Sequence, residues 1–232
     1  MNLCVIPARG GSKRIPRKNI LPFCGTPIIA YSIKTAIASG CFDKIIVSTN
    51  DPEISAVANQ YGAETPFVRP ESLSGDFVGT GDVIVHAVSW ARDNGLDVDH
   101  ACCIYATAPL LEPRFISEAY QQLVDTPKAA FCFSATAFSA PIQRALRQNT
   151  DGRAEMFNPD NYAVRSQDLE PAYHDAGQFY WGSADAWLSN AEIFLNKPVM
   201  YIMPPHHVQD IDTPDDWVFA ELMFRALQGL KT

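Results

Sequence analysis

The chain has 232 residues, 47% apolar and 19% charged, which is enough to bury one sizeable core and too apolar for a disordered segment. No apolar run approaches the roughly 20 residues that cross a bilayer. The N-terminal Met-Asn-Leu-Cys-Val-Ile-Pro lacks the basic flank of a signal peptide, so a cytoplasmic protein with no membrane partner is expected. The net charge of −8 conceals an asymmetry, because residues 1–42 hold six cations and no acid, and five of those cations lie within residues 9–18. An acidic protein with one dense basic loop suits a compact polyanion and not a broad nucleic-acid surface.

Strand and helix patterns alternate along the chain. Residues 3–7 form a short apolar run, and Ile29, Ile33 and Ile37 then recur at helical spacing within residues 28–39. Residues 44–49 read as a second strand. Asp51 follows as an N-cap with Pro52 at the first helical position, and Ile54, Val57, Ala58 and Tyr61 share one helix face. Residues 64–68 are predicted to be a third strand. Ile84, Ala87, Val88 and Ala91 mark the next helix, residues 101–105 a strand buried on both faces, Ile116, Ala119, Tyr120 and Leu123 another helix, and residues 129–134 another strand. Of the six cysteines, Cys4, Cys102, Cys103 and Cys132 fall inside apolar runs and behave as small hydrophobes. The spacing offers neither a disulfide framework nor a Cys-x-x-Cys metal site.

This alternation predicts an α/β fold, a mostly parallel Rossmann-like sheet with helices on both faces and one domain over residues 1–232. Ligands in such sheets lie beyond the carboxyl ends of the strands, here residues 8–19, about 50, 70–80, 106–113 and from 135 onward. The rhythm breaks at residues 136–182, which contain Pro141, Pro159, Pro171 and the turn Asn149-Thr-Asp-Gly152. An inserted flap carrying a β-hairpin is expected there. Its Phe138, Ile142, Leu146, Met156 and Phe157 need burial that so turn-rich a segment does not supply alone, so a homodimer is expected. Regular structure resumes with a helix at 184–190, a strand at 199–203 and a helix after Thr213-Pro214 that turns Trp217, Ala220, Phe224 and Leu227 inward.

Four motifs carry chemistry. The first is Pro7-Ala-Arg-Gly-Gly-Ser-Lys-Arg-Ile-Pro-Arg-Lys-Asn19, directly after the first strand. Gly10 and Gly11 free the backbone so that successive N–H groups can meet phosphate oxygens, with Arg9 and Lys18 supplying charge from either end. The string is neither a Walker A nor a Gly-x-Gly-x-x-Gly motif, and its bland alternative is a solvated basic turn or a nucleic-acid patch. The second is Asp210-Ile-Asp-Thr-Pro-Asp-Asp216. In an extended segment Asp210 and Asp212 face one way and Ile211 the other, and paired hard oxygens suit Mg²⁺. Thr213, Asp215 and Asp216 read instead as a helix cap and its dipole partners. The third comprises Arg69 and the turn from Asp76 to Thr80, where an ion pair of Arg69 with Glu71 or another surface acid is an equal alternative. The fourth is Arg165 with the run Tyr173-His-Asp-Ala-Gly-Gln-Phe-Tyr-Trp181. If that run is extended, Gln178 and Tyr180 share a face suited to a sugar bearing amides and hydroxyls. Arg165 can grip a carboxylate bidentately, while a lone His174 is more often structural.

The string from Ile6 to Ile20 resembles the signature of the CMP-sialic acid synthetase family of cytidylyltransferases, nearest its pseudaminic acid branch. The likeness continues at Ile45-Ile-Val-Ser-Thr49, Arg69-Pro70, Ala106-Thr-Ala-Pro109, Asp175–Gly182 and Asp210-Ile-Asp212, and so spans nearly the whole chain. The resemblance implies CMP transfer from CTP to the anomeric hydroxyl of a nine-carbon acidic ulosonic sugar, with pseudaminic acid the expected acceptor, Mg²⁺ as cofactor and pyrophosphate released. It implies that Ala8, Arg9, Gly10, Gly11, Ser12 and Lys18 hold the triphosphate and Asn19 the nucleotide. Arg69 and Thr80 would meet the cytosine, Asp210 and Asp212 the metal, and Arg165, His174, Gln178 and Tyr180 the sugar. It names no general base. Tyr105 stands where many sialic acid enzymes carry an amide, which keeps neuraminic, legionaminic and octulosonic acids, or an unrelated sugar phosphate, open as acceptors. A non-catalytic nucleotide-binding regulator is the other reading, and the intact Asp210/Asp212 pair speaks against it.

Overall fold

The computed structural model describes residues 1–230. The chain runs β1 (Asn2–Pro7), β2 (Pro22–Phe23), β3 (Thr26–Pro27), α1 (Ile28–Ser39), β4 (Lys44–Ser48), α2 (Pro52–Gln60), α3 (Thr80–Asp93), β5 (His100–Ile104), α4 (Pro113–Asp125) and β6 (Phe131–Ala137). It continues through β7 (Leu146–Gln148), β8 (Ala154–Met156), β9 (Tyr173–Ser183), α5 (Ala184–Leu188), β10 (Val199–Ile202) and α6 (Pro214–Gly229). Six strands form one sheet in the order β10-β6-β9-β5-β1-β4. β1 pairs parallel with β4 and β5, and β10 with β6, while β9 runs antiparallel between β5 and β6. The mostly parallel α/β sheet is therefore as expected, with one reversed strand at its centre.

Side-chain alternation along the strands divides the core into two layers. Cys4 and Ile6 of β1 pack with Ile29 and Ile33 of α1 and Phe115, Ile116 and Leu123 of α4 on one face. Leu3 and Val5 pack with Ile84, Ala87 and Val88 of α3 and Trp187 beyond β9 on the other. Every cysteine is a free thiol, and Cys4, Cys102, Cys103 and Cys132 are buried in these layers. Burial pushes the Cys132 thiol up to about 12, so it behaves as a hydrophobe. Among the described residues no helix is long and apolar enough to cross a membrane.

The strand expected at residues 64–68 does not form. Glu64 alone bridges Ile46, and Pro66 then removes the N–H needed to extend the ladder. The hairpin does form, as β7 and β8 around the Asn149–Gly152 turn. Residues 173–182, drawn into the flap by the sequence reading, are instead a strand of the central sheet. Once the chain leaves β6 it returns antiparallel along it, from Ala137 opposite Tyr173. The excursion is thus residues 138–172, and Phe138, Ile142, Leu146 and Phe157 on it are exposed in the single chain.

Candidate active site

A cleft of about 560 Å³ opens beyond the carboxyl ends of β1, β4 and β5, and Arg9, Ser12, Lys18, Asn19, Arg69, Thr80, Tyr105 and Asp212 line it. Segments far apart in the chain meet there for a packing reason. Ile15 of the basic loop and Ile211 between the two aspartates are buried in the same small cluster with Phe23, Ile28 and Ala220. That apolar tie sets the loop against the aspartates.

The loop's cations are all matched by acids. Arg9 Nη1 and Lys13 Nζ each lie 2.5 Å from a different oxygen of Asp76. Lys13, then Arg9, holds the Asp76 carboxyl below its usual range. Arg14 Nη2 is 2.7 Å and Lys18 Nζ 3.5 Å from Asp212 Oδ1, and Lys18 donates to the Ile211 carbonyl at 2.6 Å. Arg17, in a left-handed conformation at φ 58°, pairs with Asp51 and Glu53. Asn19 Nδ2 donates to the Arg9 carbonyl at 2.9 Å and closes the loop. Ala8 is buried and donates its N–H to the Ser48 carbonyl, so it anchors the loop and offers no amide to a ligand.

The glycines differ from expectation. A Cβ on Gly10 would stand 2.6 Å from Asp51 Oδ2, so Gly10 admits the Asp51 carboxylate and not only a phosphate, and its N–H faces Asn50 Oδ1 at 3.3 Å. Around Gly11 the space is open.

Among the described residues Arg69 has no acidic partner. It is 4% exposed, Nη2 donates to the Ser48 carbonyl at 2.6 Å, Nη1 lies 3.4 Å from the Leu73 carbonyl, and its buried Nε lacks an acceptor. The surface ion pair with Glu71 is thereby overturned. Burial, then the nearby Arg9, pushes Arg69 down to about 10, and it remains a cation at neutral pH. A buried cationic donor with an open valence against a cleft is what a carbonyl-bearing ring would satisfy.

Ile211 is fully buried, as the alternation requires, and Asp212 lines the cleft. Asp210 stands close enough that its carboxyl is raised, by lost solvation first and by the Asp212 charge second. Among the described residues no three His, Cys, Asp or Glu side chains converge as a metal cage. Two hard carboxylates fit an ion that draws its other ligands from substrate oxygens and water, as Mg²⁺ does. Thr213 and Asp216 form a reciprocal capping box on α6, as read from the sequence.

The four residues expected to meet a sugar do not line this cleft. Arg165 forms a two-pronged pair with Asp168, 2.6 and 3.1 Å, on the exposed excursion. His174 is exposed with Nδ1 against the Asp175 carbonyl at 2.8 Å. Gln178 is 1% exposed, its Nε2 bonded to the Ala176 carbonyl, and Tyr180 is buried behind Tyr105. Gln178 and Tyr180 are withdrawn because β9 is a central strand, whereas Arg165 and His174 stay exposed outside the cleft. Asp76, named from the sequence only as the start of a turn, is the shared counter-ion of Arg9 and Lys13. Its only sequence signal is that it is the lone acid in residues 72–81, set between Gly75 and Gly79.

A family model described as cytidylyltransferase matches residues 3–202. A pseudaminic acid cytidylyltransferase of Campylobacter jejuni subsp. jejuni is 46% identical over 224 residues, covering 97% of this chain and 96% of that one. A CMP-N,N'-diacetyllegionaminic acid synthase of Legionella pneumophila is 32% identical, covering 97% of each. Among solved structures, a CMP:2-keto-3-deoxy-manno-octonic acid synthetase complexed with CTP superposes with TM-score 0.71 at 19% identity, over 100% of this chain and 99% of that one, a likeness of fold.

Proposed function

The chain belongs to the cytidylyltransferase family, and from that premise we propose that it transfers CMP from CTP to the anomeric hydroxyl of pseudaminic acid, releasing pyrophosphate. The observation that carries this reading is the meeting, in one cleft, of a basic loop, a buried arginine that no described acid pairs, and Asp212 with Asp210 near it. The acceptor hydroxyl gives up its proton to water as its oxygen attacks the α-phosphorus, and the bond to the bridging oxygen breaks with its electron pair leaving on pyrophosphate. Such a displacement needs alignment and charge neutralisation more than covalent help. Arg9, Ser12 and Lys18 hold the triphosphate, and its arrival exchanges Asp76 and Asp212 for phosphate oxygens as their counter-ions. Arg69 and Thr80 receive the cytosine, and Asn19 braces the loop on which the nucleotide rests.

Asp210 and Asp212 would hold Mg²⁺, which when bound neutralises phosphate charge and orients the reacting oxygens. The protein acts as a homodimer in the cytoplasm, where CTP is available. In the dimer the 138–172 excursions supply each other's missing cover, and Arg165 on the excursion and His174 at the start of β9 reach an acceptor. The decisive assay is pyrophosphate release with CTP and a panel of acids. Pseudaminic acid should exceed neuraminic, legionaminic and octulosonic acids by at least about tenfold in kcat/KM, because a site built to bond particular hydroxyls and amides is left with unpaired groups by the wrong isomer. Equal turnover of N-acetylneuraminic acid refutes the acceptor, and no pyrophosphate with any acid refutes the transfer.

A further inference from the structure

Behind Tyr105, which lines the cleft, lies a set of polar groups that the mechanism above does not use. Tyr105 follows β5 directly and lines the cleft, its backbone N–H donating to the Gln178 carbonyl at 2.9 Å. Its ring edge lies 4.0 Å from where a Cβ on Gly177 would stand, and Gly177 takes φ +61°, so β9 passes close beneath the phenol because it has no side chain there. Behind Tyr105 is Tyr180, ring centroids 5.6 Å apart and tilted 46°. Tyr180 is 7% exposed and donates its hydroxyl to Asp175 Oδ2 at 2.6 Å. Asp175 Oδ1 in turn accepts the Gly177 N–H at 2.9 Å. A surface carboxylate thus pins a buried phenol, and the buried phenol backs the one that faces the cleft.

The sheet order places this set. Along the carboxyl edge the sequence is β4, β1, β5, β9. Arg69 sits over β4, where its N–H bonds the Thr49 carbonyl, the basic loop leaves β1, and Tyr105 leaves β5 next to the start of β9. The basic loop thus lies between Arg69 and Tyr105, and a nucleotide with its base on Arg69 and its phosphates on the loop leaves the Tyr105 side of the cleft to the acceptor. Burial raises the Tyr105 hydroxyl, so it stays neutral and can bond an acceptor's hydroxyl or amide without repelling its carboxylate.

We propose that Asp175 is a positioning residue for the acceptor, holding Tyr180 so that Tyr180 fixes the phenol of Tyr105 at the acceptor end of the cleft. A side chain braced in advance loses less rotamer freedom when the ligand arrives, which lowers the acceptor's KM and leaves the nucleotide's alone. The inference rests on the cytidylyl-transfer reading, so pyrophosphate release by the native protein is measured first, and its absence rejects that reading and not this one. Then Tyr180→Phe, Asp175→Ala and Asp175→Asn are compared. Tyr180→Phe keeps the ring packing and removes the bonded hydroxyl, Asp175→Ala removes the acceptor, and Asp175→Asn keeps an oxygen in its place. Tyr180→Phe and Asp175→Ala should each raise the KM for the acid about fivefold, the effect of one lost hydrogen bond, with the KM for CTP unchanged. Asp175→Asn should restore the acceptor KM to within about twofold of native. Should Tyr180→Phe fold poorly, the exposed Asp175 pair decides alone. An unchanged acceptor KM in Asp175→Ala, or an equal rise in both KM values, overturns the proposal.

Discussion

Asp51 joins a helix to the basic loop, and replacing it tests both roles. Its Oδ1 accepts the N–H groups of Glu53 (2.9 Å) and Ile54 (3.1 Å), capping α2, while Arg17 pairs with the same carboxylate. Losing the cap costs about 1 kcal/mol. The Arg17 pair is discounted for screening to about 0.5 kcal/mol, because the Arg17 side chain is 39% exposed. Asp51→Ala should thus cost about 1.5 kcal/mol, and Asp51→Asn, which can still cap, about 0.5 kcal/mol. In a chain of this length each kcal/mol moves Tm by about 2–4 °C, so losses of about 3–6 and 1–2 °C are expected. The pH dependence supplies a second check. The Arg17 hydrogen bond holds the Asp51 carboxyl below its usual range, with the α2 N–H groups adding to it and burial opposing. A depressed carboxyl contributes its full stability above the ordinary carboxylate pKa and loses it as pH falls through the folded value. Urea unfolding should therefore show the gap between native and Asp51→Asn at pH 7 shrinking toward about pH 3. Equal losses for the two variants, or a gap that widens in acid, refute the assignment.

Asp212→Asn should fold and bind CTP yet lose on the order of 10²-fold or more in kcat, and near-native turnover would remove Asp212 from the metal site. Lys18→Ala should cost about 2–4 kcal/mol of transition-state stabilisation, read from kcat/KM for CTP. Intact CTP kinetics with weakened nucleic-acid binding would make the loop a nucleic-acid patch instead. Light scattering should return twice 25.6 kDa, and a monomer at micromolar concentration rejects the dimer built on the excursion.

Much of the architecture was legible because periodicity is a local property. The stripe of Ile29 and Ile33 defined α1, Asp51 and Pro52 defined the start of α2, and the alternation through Ile211 placed two carboxylates opposite a buried side chain. The basic loop and the aspartates were visible as composition. What each of them touches was not. Alternation reads the same whichever way a strand runs, so nothing in residues 173–183 announced that β9 lies antiparallel at the sheet's centre, with Gln178 and Tyr180 buried there. Arg69 read equally as a cytosine contact or a surface ion pair, and only the fold over Ser48 and Leu73 removed it from water and from every described acid. The partners of Arg9 and Lys18 lie 67 and 194 residues away, at Asp76 and Asp212. Short-range pattern determines which face a side chain takes, whereas long-range packing, here the Ile15 and Ile211 cluster, decides which faces meet.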